Sequence, residues 1–228
     1  MDGLKGQLGH PEAEITWRDG RIPVSTRFDD PYYSLDNGLA ETRHVFLDGN
    51  DLPERFDDGF HVAELGFGTG LNLLALALLW KASGVRGKLH FTSFEAFPLS
   101  LEEAQRAHAE FPEVESLVQD FAPLWQGQKV QLDWIEAQVV TGDARIIVPD
   151  LAGCADAWFL DGFSPARNPE LWGAELMAAV GAKTSPGGTF ATYTAAGAVR
   201  RALSDAGFTV ERVPGFGRKR HMTRGVKP

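Results

Sequence analysis

Acidic side chains stand at or shortly after the ends of four predicted strands in this 228-residue chain. Glu64 ends the first strand, Glu95 follows the second, and Asp143 and Asp161 follow two later ones. Because ligands of open parallel sheets bind outside the carboxyl ends of the strands, we expect these four carboxylates to face one ligand. Asp161 follows an almost wholly apolar run and should lie at this ligand edge rather than in solvent.

The first strand leads into a glycine-rich loop, in the segment Glu64-Leu-Gly-Phe-Gly-Thr-Gly-Leu-Asn72. Alternate glycines let the backbone turn tightly and approach a ligand closely, and the following helix offers free N–H groups. A dinucleotide fingerprint needs glycine at position 71, which is Leu71, and this disfavours a nicotinamide reductase. The carboxylate of Glu64 beside the loop suits a cation and would repel a pyrophosphate. A plain strand-to-helix turn is the alternative interpretation.

The other acids match the parts of a nucleoside. Glu95 can accept hydrogen bonds from both hydroxyls of a ribose, unless it is a surface or helix-capping carboxylate. Asp143 can accept from the exocyclic amine of an adenine, or it can cap a helix. Four acids without a phosphate-loop lysine indicate a ligand with ribose, adenine and positive charge. S-adenosylmethionine has these features and lacks phosphate.

The elements that must position these acids alternate between strand and helix from residue 61 onward. This alternation predicts an α/β fold with a doubly wound, mostly parallel, seven-stranded sheet. The predicted strands are 61–65, 88–94, 139–141, 156–160, 189–193, 209–213 and 221–224, the last two antiparallel. The predicted helices are 71–81, 98–110, 170–183 and 195–206, with a helix or loop after Asp143.

The first sixty residues have a different pattern. Segments 14–17 and 22–25 flank Asp19-Gly20 and predict a hairpin. An aromatic-rich turn at 28–34 and a short helix over 38–47 follow. We therefore expect two parts, an N-terminal extension over 1–58 and a single domain over 59–228.

Composition excludes several classes of protein. The chain is 43% hydrophobic and 23% charged, which is typical of a globular domain. Its one cysteine, Cys154, excludes an intramolecular disulfide, and its six histidines show no metal-ligand spacing, so we expect no metal. The longest apolar run, 73–80, is too short to span a membrane. Residues 1–5 lack the layout of a signal peptide, so we expect a cytoplasmic protein.

Charge is unevenly distributed along the chain. Residues 1–199 carry 14 basic and 29 acidic residues, whereas residues 200–228 carry 8 basic and 2 acidic residues. A basic end on an acidic body can meet a polyanion locally, or it can be a solvated terminus.

Three blocks of sequence resemble a known family. They are the glycine segment 64–72, the long segment Asp156-Ala-Trp-Phe-Leu-Asp-Gly-Phe-Ser-Pro-Ala-Arg-Asn-Pro-Glu-Leu-Trp172, and Gly217-Arg-Lys-Arg-His-Met222. Together with parts of 33–50 they resemble the methyltransferase domain of the MnmC family and its stand-alone form, MnmD, over about residues 14–224. The resemblance implies a Rossmann-like class I methyltransferase fold and S-adenosylmethionine as cofactor.

The resemblance also implies a substrate and a partner. The expected reaction is methylation of the 5-aminomethyl group on the wobble 2-thiouridine of tRNA, which gives 5-methylaminomethyl-2-thiouridine. In MnmC an FAD-dependent oxidase domain first removes a carboxymethyl group. This sequence has no second glycine fingerprint, so we expect the oxidase either as a separate partner or as a half that was cut from a longer chain.

The expected reaction assigns roles to the residues that match the family. Asp161 is the expected catalytic residue, because it would orient the amine, help to remove its proton and lie beside the cofactor. The expected contacts to the methionine part come from Glu64, Gly66, Gly68, Thr69, Gly70 and Asn72. Glu95 would bind the ribose, and Gly142 with Asp143 the adenine. The expected tRNA contacts come from Phe163, Tyr32, Tyr33, Arg218, Lys219 and Arg220.

Two other functions fit the same residues. A methyltransferase for a small amine would use the same four acids, although the basic cluster and the long 162–169 loop favour a large anionic acceptor. A non-catalytic nucleotide-sensing or scaffold module is the other alternative, but a scaffold needs none of these acids.

Overall fold

The computed structural model describes residues 12–34 and 37–228. Residues 1–5, on which the signal-peptide expectation depends, lie outside this part of the chain. Within the described ranges, eleven strands form: β1 Ile15–Arg18, β2 Ile22–Ser25, β3 Asp30–Pro31, β4 His61–Leu65, β5 Leu89–Glu95, β6 Val130–Gln131, β7 Ile135–Thr141, β8 Ala155–Leu160, β9 Thr184–Thr192, β10 Thr209–Pro214 and β11 His221–Val226. Seven α-helices form in the same ranges: α1 Gly38–Thr42, α2 Leu71–Ser83, α3 Leu101–His108, α4 Pro112–Phe121, α5 Ala144–Ile147, α6 Ala174–Ala182 and α7 Gly197–Asp205.

The main sheet has the strand order β10-β11-β9-β8-β4-β5-β7-β6. Strand β4 pairs in parallel with β5 on one side and with β8 on the other. The chain therefore builds outward from β4 in one direction and then crosses to its other side. This reversal creates a crevice at the carboxyl ends of β4, β5 and β8, where ligands of such sheets bind.

The predicted doubly wound sheet is confirmed, but the predicted number of seven strands is wrong. Among the described residues the sheet has eight strands, because the two-residue strand β6 pairs antiparallel with β7. So short a strand has no alternation for a sequence pattern to detect. The predicted helix over 98–110 is shorter, since Ser100 and Glu103 form a capping box that starts α3 at Leu101. Helix α4 was not predicted.

The packing of helix α2 fixes the position of the glycine loop that precedes it. It is apolar on nearly all sides, and seven successive residues, 71–77, are buried. A helix of this kind must be covered by protein all around. It contacts α1 and α4, and a π-helical turn over Arg43–Leu47 also packs against it. The start of α2 is thereby fixed at the end of β4.

The N-terminal residues form the predicted hairpin, which β3 extends to three antiparallel strands. The residues that follow this small sheet are hydrogen-bonded to the main sheet. Buried Asn50 donates to the carbonyl oxygen of Trp158, and Arg55 donates to the carbonyl oxygen of Asp156. The division into 1–58 and 59–228 stays a prediction. No described helix is long and apolar enough to cross a membrane.

Candidate functional site

A cavity of about 360 Å³ opens at the crevice between β4, β5 and β8. The glycine loop and the strand ends form its floor. Residues from 30–34 and 38–46 form one wall, and the loop between β10 and β11 forms another. The expected site residues that line it are Gly66, Gly68, Thr69, Asn72, Glu95, Asp161, Phe163, Tyr32, Tyr33, Arg218 and Lys219.

The glycine loop adopts backbone conformations that favour glycine. Gly66, Gly68 and Gly70 have φ of 82°, 52° and 78°. A Cβ on Gly66 would lie 3.0 Å from the carbonyl oxygen of Asp161, and one on Gly70 would lie 2.7 Å from the ring of Trp125. The loop is therefore packed tightly against the end of β8 on one side and against the core on the other.

Glu64 lies beneath the cavity rather than in its wall. Its side chain is fully buried and accepts hydrogen bonds from Ser93 Oγ at 2.6 Å and from Asn72 Nδ2 at 2.9 Å. Burial raises the pKa of Glu64 well above its ordinary value. Glu64 thus supports Asn72 from below.

Asn72 links two carboxylates. Its Nδ2 also donates to Asp161 Oδ2 at 2.8 Å, and its Oδ1 accepts from Thr42 Oγ1 at 2.8 Å. Every hydrogen-bonding position of the amide except one oxygen lone pair is thereby used. The amide can satisfy both carboxylates and the hydroxyl in only one orientation, so the position of Asp161 is well defined.

Asp161 is a partly buried carboxylate in the cavity wall. Its Oδ1 accepts from the backbone N–H of Gly162 at 2.8 Å. Burial raises the pKa of Asp161 to about 7, although the hydrogen bonds from Asn72 and Gly162 oppose this change. The negative charge of Glu41 raises this pKa further, and the positive charge of Lys219 lowers it. A carboxylate with this pKa can accept and release a proton near neutral pH.

Glu95 ends β5 and faces the same cavity. Its two oxygens accept the backbone N–H groups of Gly68 at 3.0 Å and Phe97 at 2.8 Å. These bonds leave further lone pairs on the carboxylate for the hydroxyls of a ribose. Burial raises the pKa of Glu95, and its backbone hydrogen bonds oppose the rise.

Some expected site residues do not line this cavity. Gly70 lies below the loop surface, as Glu64 does, and Arg220 is exposed outside. Asp143 caps α5 and pairs with Arg145, and Gly142 donates its N–H to the carbonyl oxygen of Glu95. The adenine contacts expected of Gly142 and Asp143 therefore stay predictions.

Aromatic rings surround the cavity mouth. Phe163 stacks on Phe28 with ring centroids 4.7 Å apart and planes inclined by 25°, and Tyr32 meets Phe163 edge-on at 5.0 Å. Trp172 Nε1 donates to the carbonyl oxygen of Phe163 at 2.9 Å. The hydroxyl of Tyr33 donates to the helix α3 carbonyl of Ala107 at 3.3 Å. Of these residues, Tyr32, Tyr33 and Phe163 line the cavity, where aromatic side chains of this kind can contact a nucleobase.

Comparisons with known proteins identify the family. The family model described as "S-adenosyl-L-methionine-dependent methyltransferase" matches residues 108–228. The chain belongs to this family. S-adenosylmethionine is accordingly the cofactor of this methyltransferase.

Individual relatives agree with this family. The chain is 47% identical over 226 residues to the "tRNA 5-methylaminomethyl-2-thiouridine biosynthesis bifunctional protein MnmC" of Caulobacter vibrioides, covering 95% of the chain and 38% of that protein. It is 43% identical to the protein of the same name from Stutzerimonas stutzeri, covering 99% of the chain and 36% of that protein. The methyltransferase thus spans less than two fifths of the length of these curated relatives.

Solved structures agree on the fold. The crystal structure of MnmC2 from Aquifex aeolicus matches with a TM-score of 0.74 and 25% identity, over 97% of this chain and 74% of that one. A methyltransferase from Pyrococcus furiosus matches with a TM-score of 0.51 and 16% identity, over 85% of this chain and 84% of that one, and this likeness shows the fold alone. The expected class I methyltransferase fold is confirmed.

The residues of the cavity fit S-adenosylmethionine. Gly66 and Gly68 line the cavity with backbone alone, so no side chain of theirs separates the floor from a ligand. Asp161 and Glu95 supply negative charge for a ligand with two cationic groups. Among the described residues, no group of three or more His, Cys, Asp or Glu side chains could hold a metal ion.

Sequence reasoning missed several residues around this methyltransferase cavity, and four of them carry polar groups that bear on the site. Glu41, Thr42 and Tyr193 line it, and His108 lies buried behind the glycine loop, where burial lowers its pKa to about 4. Glu41 and Thr42 lie within the segment that resembles the family, but the sequence does not show that α1 forms a wall of the cavity.

Proposed function

We propose that this methyltransferase transfers the methyl group of S-adenosylmethionine to the 5-aminomethyl group of wobble 5-aminomethyl-2-thiouridine in tRNA, giving 5-methylaminomethyl-2-thiouridine. The observation that carries this proposal is Asp161, a carboxylate with a pKa of about 7 in the wall of the cofactor cavity. The names of the MnmC relatives support the choice of substrate.

The chemistry requires an amine without its extra proton. An alkylamine has an ordinary pKa near that of lysine, about 10.4, so it is largely protonated at neutral pH. When bound, S-adenosylmethionine would supply an electrophilic methyl group, and the electron pair of the methyl–sulfur bond would go to sulfur as the amine nitrogen bonds to the carbon. Asp161 accepts the proton of the substrate ammonium before transfer and later releases it to solvent. The product leaves as a secondary ammonium, so one proton is released per turnover.

Asp161 can perform this role because it is held in place. Asn72 and the Gly162 N–H fix its two oxygens, and burial keeps its pKa close to the working pH. A positioned acid–base group of this kind contributes roughly 100- to 10,000-fold to a rate.

The mouth of the cavity suits a nucleotide better than a small free amine. Phe163 and Tyr32 line the cavity and would contact the uridine after it is turned out of its RNA. Arg218 lines the cavity, and Arg220 is exposed on the same loop, where both can contact phosphates. We therefore propose tRNA as the macromolecular substrate, in the cytoplasm. An FAD-dependent oxidase activity would supply the aminomethyl group.

The proposal is tested by incubating the protein and S-adenosylmethionine with tRNA that carries 5-aminomethyl-2-thiouridine. Nucleoside mass spectrometry should find 5-methylaminomethyl-2-thiouridine with the wild-type protein. It should find almost none with Asp161→Asn. tRNA with unmodified 2-thiouridine is the acceptor control and should gain no methyl group. Transfer to free alkylamines at rates equal to those on tRNA would instead favour the small-amine methyltransferase.

A further inference from the structure

An ion pair between a buried carboxylate and a partly exposed lysine lies in the cavity wall. Glu41 on α1 is 8% exposed, and its Oε1 accepts from Lys219 Nζ at 2.8 Å. Its Oε2 accepts the backbone N–H of Ser34 at 3.1 Å. Both side chains line the cavity, yet the chemistry described above uses neither of them.

The surroundings of the Lys219 ammonium form a binding site for an alkylammonium group. The Glu41 carboxylate contacts it directly, and the ring centre of Tyr193 lies 3.9 Å from Nζ. A carboxylate combined with an aromatic face is a general way to bind an organic cation. The ring is held at its far end, because the Tyr193 hydroxyl donates to the carbonyl oxygen of Gly162 at 2.8 Å.

We propose that Glu41 and Tyr193 bind the ammonium group of the substrate, and that Lys219 occupies this position until the substrate displaces it. This inference rests on the proposed function, because it assigns the site that receives the aminomethyl group. The step is an exchange of one ammonium for another, and no covalent bond changes in it.

Lys219 and Glu41 differ in how exposed and how firmly anchored their side chains are, and this difference favours the exchange. The Lys219 side chain is 44% exposed and lies in the loop between β10 and β11, whereas the Glu41 side chain is 10% exposed and anchored on α1. Lys219 can therefore move into solvent or toward a phosphate without disturbing a packed element. Glu41 cannot follow it, and a buried carboxylate left without a cation is costly. A second cation that enters the cavity removes this cost.

The site also lies next to the proton acceptor. Tyr193 is hydrogen-bonded to the residue that follows Asp161, and the charges of Glu41 and Lys219 both act on Asp161. An ammonium held between Glu41 and Tyr193 would therefore be close to the carboxylate that accepts its proton. Glu41 is a specificity-determining residue in this scheme, since a neutral substituent gains nothing from its charge.

The test measures binding of the free nucleoside 5-aminomethyl-2-thiouridine, which has no phosphate, to protein saturated with S-adenosylhomocysteine. Calorimetry follows binding without turnover. Glu41→Gln keeps the size of the side chain and an acceptor for Ser34, and it should weaken binding at least about tenfold, the loss of one charge-assisted hydrogen bond. Lys219→Met keeps the apolar stem and should strengthen binding several-fold, because no internal ammonium competes. Glu211→Gln, which removes a surface partner of Arg224, is the matched control and should match wild type.

The variants separate this inference from a purely structural ion pair. If the pair is structural, Glu41→Gln and Lys219→Met both weaken binding, or neither changes it, and either result overturns the proposal. Absence of nucleoside binding to wild type overturns it as well. Methyl transfer to tRNA is assayed in parallel. Transfer with no effect of Glu41→Gln on binding refutes the ammonium site alone, whereas binding that depends on Glu41 without any transfer refutes the proposed function alone.

The pH profile tests the electrostatic contact between Glu41 and Asp161. The negative charge of Glu41 raises the pKa of Asp161, so Glu41→Gln should move the acidic limb of kcat to lower pH. An unmoved limb would contradict a position of the substrate ammonium between these two carboxylates.

Discussion

Binding of S-adenosylmethionine should depend on pH through Asp161. Burial holds the pKa of this carboxyl at about 7 in the free protein, and a bound cation favours its ionised form. The cofactor therefore binds the ionised carboxylate more tightly and lowers its pKa, so binding releases a proton. Affinity must then rise as pH rises through the pKa of the free protein.

The size of the effect follows from the fraction of Asp161 that is ionised. With a pKa of about 7, roughly nine tenths of the carboxyl is ionised at pH 8 and roughly one tenth at pH 6. The dissociation constant should therefore be higher at pH 6 than at pH 8, by at most about tenfold, a limit reached only if the protonated form does not bind at all. At pH 7 at most about half a proton should be released per cofactor bound.

Titration calorimetry at several pH values, in buffers with different heats of ionisation, measures both quantities. Asp161→Asn is the control, because the amide keeps the size of the side chain and does not titrate. The amino group of the cofactor titrates equally against both proteins, so the ratio of the two pH profiles isolates Asp161. Equal pH profiles for wild type and Asp161→Asn would refute the assignment of this proton to Asp161.

Three further predictions concern the packing of the glycine loop, the role of Glu95 and the basic loop between β10 and β11. Gly70→Ala should lower the free energy of unfolding by about 2–4 kcal/mol in denaturant titrations. The control Gly84→Ala should lower it by only about 1 kcal/mol, because Gly84 has a similar positive φ but open space around it. Equal losses would contradict the tight packing around Gly70. Glu95→Gln should weaken calorimetric binding of S-adenosylmethionine about 10- to 100-fold through lost ribose hydrogen bonds, and an unchanged affinity would place the ribose elsewhere. Replacing Arg218 and Arg220 by alanine should flatten the logarithmic salt dependence of tRNA binding by about 1.4–1.8 units without changing cofactor affinity. An unaltered slope would place the tRNA surface away from this loop.

The floor of the site could be predicted from the sequence because its residues lie at strand ends and in one short loop, which local sequence patterns identify. A carboxylate at the end of a parallel strand reaches the same sheet edge as its neighbours, so Glu95 and Asp161 meet in one cavity, as expected. The glycine loop is similarly local, since its conformation is set by its own residues. Glu64 shows the limit of this reasoning. Its position at the end of a strand does not reveal whether its side chain faces the cavity or lies beneath it.

The walls could not be predicted, because distant segments form them. Glu41 and Lys219 are 178 positions apart in the chain and meet only after α1 and the β10–β11 loop have packed on the same sheet edge. Asp143 shows the opposite case, since Arg145, two residues away, pairs with it and gives it a local role. Strand β6 went undetected because its two residues carry no periodic pattern.

The most direct test of the central claim is nucleoside analysis of tRNA from a bacterial strain that accumulates 5-aminomethyl-2-thiouridine for lack of its own methyltransferase. Expression of this chain should convert that nucleoside to 5-methylaminomethyl-2-thiouridine, whereas expression of Asp161→Asn at the same level should leave it unmethylated. Persistence of 5-aminomethyl-2-thiouridine with a folded, cofactor-binding wild-type protein would contradict the proposed function. Equal conversion by both proteins would contradict the role of Asp161.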